Sequence, residues 1–151
     1  MSTLSASATR SPTDSASQSK ESSVGTFQKV SELAGRILLA AIFLISGLGK
    51  ITAYAGTAAY MASLGVPGAL LPAVIATEVL GAIAIIIGWK TRITAFLLAG
   101  FTLLSGIIFH SNFADQIQMI MFLKNVAIAG GFLLLVANGA GPLSVDRRLA
   151  K

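Results

Sequence analysis

The stretch ALLPAVIATEVLGAIAIIIGW, residues 69–89, reads as one membrane-crossing helix interrupted by a single acid, Glu78. At a rise of about 1.5 Å per residue it spans the roughly 30 Å hydrocarbon core of a bilayer. Pro72 falls in the first turn, where its missing N–H costs nothing, and Trp89 suits an interface anchor. A charge at the centre of such a helix costs about 2.5–3.5 kcal/mol on insertion scales, so it turns toward a bundle interior or a wet cavity. Glu78 therefore needs a partner or a purpose.

Three more apolar segments flank this one. ITAFLLAGFTLLSGIIF, residues 93–109, follows the short turn Lys90-Thr91-Arg92, which makes the two helices an antiparallel hairpin. IQMIMFLKNVAIAGGFLLLVA, residues 117–137, ends at the breaker Asn138-Gly139-Ala140-Gly141-Pro142. LAGRILLAAIFLISGLG, residues 33–49, has only about 13 uninterrupted apolar residues after Arg36; snorkelling by Arg36 and Lys50 extends its span. Between the first two spans, Tyr54, Tyr60, Met61 and Leu64 at near-helical spacing predict a short interfacial helix, ended by Gly65-Val66-Pro67-Gly68. The Arg36, apolar run and Ala53-Tyr54-Ala55 also resemble a cleavable signal, but the intervening Lys50 and the long preceding tail weigh against cleavage. The expected fold class is all-α: an integral membrane four-helix bundle over residues 31–146, with a short interfacial helix between helices 1 and 2.

Composition agrees. With 54% hydrophobic and 11% charged residues and a mean hydropathy of +0.80, a soluble chain of 151 residues would lack polar surface. The net charge of +5 comes from Lys and Arg residues standing singly at span ends, which suits headgroups and disfavours nucleic acid. The chain has no cysteine, which removes thiol exchange and iron–sulfur ligation. Residues 1–30, rich in Ser and Thr, are expected to form a disordered cytoplasmic tail, and residues 147–151 a basic cytoplasmic end. With four spans, nine of the 11 basic residues fall on the side of the termini and only Lys50 and Lys124 on the other, so both termini are expected in the cytoplasm. Arg147-Arg148 reads first as an orientation signal, and second as an anionic-lipid contact.

Depth then groups the polar residues. Counted from the outer face, Glu78 lies roughly 13 Å and Lys124 roughly 10 Å into the bilayer, so the two are expected to pair. Gln118 and Asn125 share a face with Lys124 beside them, while Gly130 and Gly131 permit close packing below. Ser46, Thr77 and His110 are expected to complete a polar cavity opening outward. As the single histidine, His110 suits an interfacial anchor better than a metal or haem ligand, and no metal site is expected. The phenylalanines suit packing or lipid contact. The Glu78–Lys124 pair either fixes helix register and nothing more, or joins Asn125 and Lys50 in lining a pocket for a small polar or redox headgroup.

The sequence resembles the DoxX family of small four-helix bacterial inner-membrane proteins over roughly residues 33–146. The resemblance lies in Ser46-Gly47-Leu48-Gly49-Lys50, in Tyr60-Met61-Ala62-Ser63-Leu64-Gly65-Val66-Pro67, in Glu78-Val79-Leu80-Gly81 followed by Gly88-Trp89-Lys90-Thr91-Arg92, and in the run from Phe122 through Lys124-Asn125 to Gly130-Gly131. It implies a small inner-membrane partner of proteins linked to quinone-dependent oxidation of sulfur compounds and to oxidative stress. Its recurring polar residues match Lys50, Glu78, Lys124 and Asn125 here. Without cysteine, direct sulfur chemistry is disfavoured; binding a quinone, with no covalent cofactor, or docking a soluble or membrane oxidoreductase is the expectation. No residue is assigned a catalytic role, and the isolated chain leans away from being an enzyme by itself. The alternatives are a transporter or permeability factor for a small solute or protons, and a purely structural membrane subunit; a homo-oligomer is compatible with each. The candidate ligand-binding cluster is Lys50, Glu78, Lys124, Asn125, His110 and Gln118.

Overall fold

The structure, a computed structural model, describes the backbone of residues 12–150 and side chains from residue 24 onward. Helix α1 runs Pro12–Thr52, α2 Tyr54–Ser63, α3 Leu71–Ile87, α4 Thr91–Phe109, α5 Gln116–Asn138 and α6 Val145–Leu149, with a 3₁₀ turn, Gly68–Leu70, leading into α3. Among the described residues there is no strand, and four helices are long and apolar enough to cross a membrane. The molecule is an all-α membrane bundle, with α2 as the short helix between the first two spans.

The first span is longer than its apolar core implies: its membrane-capable part covers Val24–Thr52, 29 residues. Helix α1 begins at Pro12, inside the 1–30 region expected to be disordered. Once the apolar segment is helical, each added residue brings one hydrogen bond without a new nucleus, so a polar extension can continue the helix. The tail's first 11 residues and Lys151 lie outside the described residues.

The spans pack as two pairs. Helix α1 lies along α3 and α4 along α5; α3 touches α4 more lightly, and α1 and α5 meet at few points. One half of the bundle is filled by Ala40, Phe43, Ala82, Ile85, Leu98, Ala99, Ala129 and Phe132, with the Phe43 and Phe132 rings 5.3 Å apart. Gly131 accepts Leu39 from α1, as expected for close packing, but Gly130 faces open space.

That half is closed by a polar clasp. Arg36, expected to snorkel, is instead fully buried. Its guanidinium donates to the Ile85 and Ile86 carbonyls at 3.3 Å each, and to the Leu143 carbonyl. It thereby caps the C-terminal end of α3, where carbonyls have no partner in their own helix and a cation is favoured. The turn is Gly88-Trp89-Lys90 rather than Lys90-Thr91-Arg92, because α3 ends on Gly88 in a left-handed conformation, φ 73°, and Thr91 already starts α4. A side chain at Gly88 would also collide with the Arg36 guanidinium and with Ser144. Asp146 on α6 caps α4 from across the chain: its carboxylate accepts from the Lys90 and Thr91 amides at 2.6 and 2.8 Å. Its own amide donates to the Gly88 carbonyl at 2.9 Å. The C-terminal segment is thus strapped over the α3–α4 turn.

Burial alone would raise the Asp146 pKa, but the hydrogen bonds from Thr91 and Lys90, together with the Arg36 charge, outweigh it and hold the group below its ordinary 3.8. A lowered folded-state value means a stabilisation fully present above 3.8 and lost as pH falls through the lower folded value. Asp146→Ala is therefore expected to unfold at a lower temperature than wild type at pH 7 in detergent, with the gap closing below about pH 4. A gap independent of pH would show that the carboxylate charge contributes nothing to the clasp.

A polar cavity between the two helix pairs

The other half of the bundle is open. Helices α1 and α5 meet at few points, and toward the end that carries α2 a cavity of about 510 Å³ lies between the helix pairs. Its walls come from the second half of α1 (Ile42, Phe43), the start of α3 (Val74), the second half of α4 (Phe101, Leu104, Ile108) and α5 (Ile128). Helix α2 roofs it with Thr57, Tyr60 and Met61, and the Tyr60 ring stacks on Phe109 of α4 at 5.9 Å. Among the phenylalanines expected only to pack or face lipid, Phe43, Phe101 and Phe109 line this space.

Glu78 lies on this wall, buried, and its partner is Lys50, not Lys124. The Lys50 Nζ stands 2.9 Å from both carboxylate oxygens and donates to Ser46 Oγ at 2.6 Å; Ser46 in turn donates to Glu78 Oε1 at 3.4 Å. The expected Glu78–Lys124 pair does not form. Depth puts both lysines within reach, but helix adjacency chooses between them: α1 packs on the face of α3 that carries Glu78, while α5 packs on α4 across the cavity. Gly47 makes that choice possible. A Cβ there would stand 2.7 Å from Val79 Cγ2 and 3.2 Å from Glu78 Cβ, so only glycine lets α1 approach closely enough. Ser46 and Lys50 are four apart and share the face that Glu78 meets.

Lys124 lines the opposite wall, and its ammonium reaches only the Met121 sulfur, at 3.1 Å. Asn125 beside it donates to the Met121 carbonyl at 3.1 Å and packs against Gly106 of α4. His110, at the end of α4, shares a 2.8 Å hydrogen bond with the Gln118 carboxamide oxygen, which tethers it to α5. Asp115 caps α5 by accepting from Ile117 and Gln118 amides, which fixes the start of that helix. Of the six candidate residues, Lys50, Glu78, Lys124, Asn125 and His110 line the cavity, and Gln118 reaches it through His110. Thr77, expected at the cavity, is not there; its hydroxyl bonds back to the Ala73 carbonyl at 2.9 Å. Ser105 and Thr102 line the wall and were not anticipated. Both sit in an apolar run, where a lone hydroxyl gives no signal of which way it faces.

The DoxX family model matches residues 31–111, slightly more than half of the chain. The chain belongs to the DoxX family. It is 52% identical over 124 residues to inner membrane protein YqjF of Escherichia coli K12, an alignment covering 82% of this chain and 95% of that protein. It is 44% identical over 131 residues to inner membrane protein YphA of the same organism, covering 82% and 94%. No solved structure matches it. The DoxX domain match ends just after His110, so it includes Lys50 and Glu78 but not Lys124 and Asn125.

Coupling between Lys50 and Glu78 is measurable. Glu78→Gln and Lys50→Met should each lower detergent stability, toward the low end of the roughly 3–5 kcal/mol that stranding one member of a buried pair costs, because Lys50 reaches the cavity. The double variant should recover a large part of the loss, whereas Lys124→Met combined with Glu78→Gln should be additive. Recovery with Lys124 instead of Lys50 would overturn the pairing.

Proposed function

We propose that this DoxX protein is a ligand-binding accessory subunit of a redox or oxidative-stress system in the inner membrane, and that its cavity holds the headgroup of a quinone-type molecule. The observation that carries this reading is the cavity's make-up. About 510 Å³ lies in the range of small-ligand sites, roughly 300–1,000 Å³, with apolar and aromatic walls and a few convergent polar groups. A flat, amphipathic head with a long apolar tail suits such a space: carbonyl oxygens toward Lys124 and Asn125, the ring among Phe101, Phe109 and Tyr60, and the tail leaving between α1 and α5 into lipid. The chain's own groups bind and orient; the quinone, when bound, supplies the electron chemistry.

Binding is favoured over conduction by what lies beneath. The Lys50–Glu78–Ser46 cluster lines one wall of the cavity, and the packed core around Ala82, Leu98 and Phe132 fills the other half of the bundle, so this conformation offers a pocket and not a path. The protein purified in mild detergent is expected to release about one quinone per chain on solvent extraction, and the Asn125→Leu variant markedly less. Absence of extractable quinone, together with no binding of added short-tail quinone and measurable solute flux in liposomes, would replace this reading with a transporter.

The same proposal puts the cavity mouth on the outer side of the membrane, because in the sequence nine of the 11 basic residues fall on the side of the termini. Reporter fusions at Lys151 and Lys90 should then report the cytoplasm and fusions near Gly56 and Asp115 the outer side. Cleavage after Ala55 would appear in the same experiment as a short N-terminal fragment. An outer-side signal at Lys151 would overturn the orientation.

A further inference from the structure

The cavity is electrically unbalanced. Lys50 and Glu78 neutralise one another at 2.9 Å, with Ser46 completing the cluster, so neither has charge to offer an entering molecule. Across the cavity Lys124 has no carboxylate within ion-pair distance among the described residues, and the Met121 sulfur it touches is a weak acceptor. The lining therefore carries one uncompensated positive charge. An ammonium at this depth costs about 2.5–3.5 kcal/mol when unpartnered, and an anion brought in by a ligand is the group that removes the cost. The surroundings suit that role. Asn125, one residue on, lines the same wall; one N–H of its carboxamide is anchored on the Met121 carbonyl, and the second is left to donate to an entering oxygen. His110 lies at the cavity rim with Nδ1 engaged by the Gln118 carboxamide oxygen, and it brings no carboxylate to this wall.

Resting on the ligand-binding reading above, we infer that this cavity selects an amphipathic anion, whose charged oxygen pairs with Lys124 while its apolar body fills the space between the helix pairs. The ring-borne oxyanion of an ionised hydroxyquinone and the carboxylate of a medium-chain fatty acid share this chemistry. A neutral quinone of the same size would leave the lysine charge uncompensated. The neutral Lys50–Glu78 cluster opposite then sets the depth at which the headgroup stops, because a second anion there would face the Glu78 carboxylate.

The full-length protein in lipid nanodiscs is titrated with an alkylated 2-hydroxy-1,4-naphthoquinone, which is ionised at neutral pH, with the matching 1,4-naphthoquinone, which is not, and with decanoate as competitor. Fluorescence of Trp89 and the tyrosines, or calorimetry, reads binding. Expected is at least about tenfold tighter binding of the ionised quinone. Lys124→Gln should abolish that preference, Lys124→Arg should keep it, and unfolding temperatures confirm that both variants fold. Displacement by decanoate would identify a general carboxylate-tolerant site, and failure of decanoate to compete would restrict the class to ring oxyanions. If both quinones bind equally, or Lys124→Gln keeps the preference, the anion selectivity is wrong while the quinone reading stands. If neither quinone binds but decanoate does, the quinone reading fails and the anion selectivity stands. If nothing binds, both fall.

Discussion

A carboxylate at the depth of Glu78 has to be neutralised inside the bundle, and the architecture around it follows from how that is done. Lipid offers no counter-charge, so the partner must come from a neighbouring helix at the right depth and facing the right way. Lys50 meets both conditions only because Gly47 lets α1 lie directly against α3. The pairing therefore fixes the rotation of α1 about its axis and its height relative to α3, which in turn sends Ala40 into the packed half and Ile42 and Ser46 toward the cavity, with Phe43 at the boundary between them. A single electrostatic demand sets the register of one helix pair.

At the opposite end, Arg36 solves a different problem with the same logic. The last carbonyls of α3 have no partner in their own helix, because the chain turns away at Gly88. The guanidinium, with its planar fork of donors, satisfies two of these and a third from the C-terminal segment. Asp146 then completes the exchange by capping α4. Helix ends that would otherwise expose polar backbone at the membrane surface are sealed by side chains from remote parts of the sequence. The clasped half is thereby tied together by side chains from three parts of the sequence, and the cavity half, with α1 and α5 barely in contact, is the less densely packed part.

Much of this was legible in the sequence, for reasons that can be named. Span number and the interfacial helix follow from apolar length and turn residues, which act locally. The cavity's constituents follow from depth, which the helical rise converts directly from sequence position. What depth does not carry is azimuth and neighbour order. Lys50 and Lys124 lie at comparable depth, and only the adjacency of α1 to α3 selects Lys50; Thr77 sits one residue from Glu78, but the helix rotates it roughly 100° away from the cavity. Arg36 was misread for a related reason. An arginine near the end of an apolar run ordinarily snorkels, and nothing local announces that the end of α3 and the 143–146 segment will converge on it. The turn moved by two residues because the left-handed conformations fall at Gly88 and Lys90, so Thr91 and Arg92 already belong to α4.

The separation of the two lysines has a consequence for how such a small chain can combine a fixed helix register with an open cavity. Had Glu78 paired with Lys124, the ion pair would have bridged the two helix pairs and drawn α5 toward α3, consuming the cavity to satisfy the charges. Pairing within the α1–α3 unit satisfies the acid without crossing the space, and leaves Lys124 on the far wall with only a thioether for company. The cost of that uncompensated ammonium is moderated by its access to the cavity, where water can solvate it. The ion pair and the unpaired ammonium are thus assigned to different walls of the cavity, and the two demands, a fixed register and an open space, do not compete.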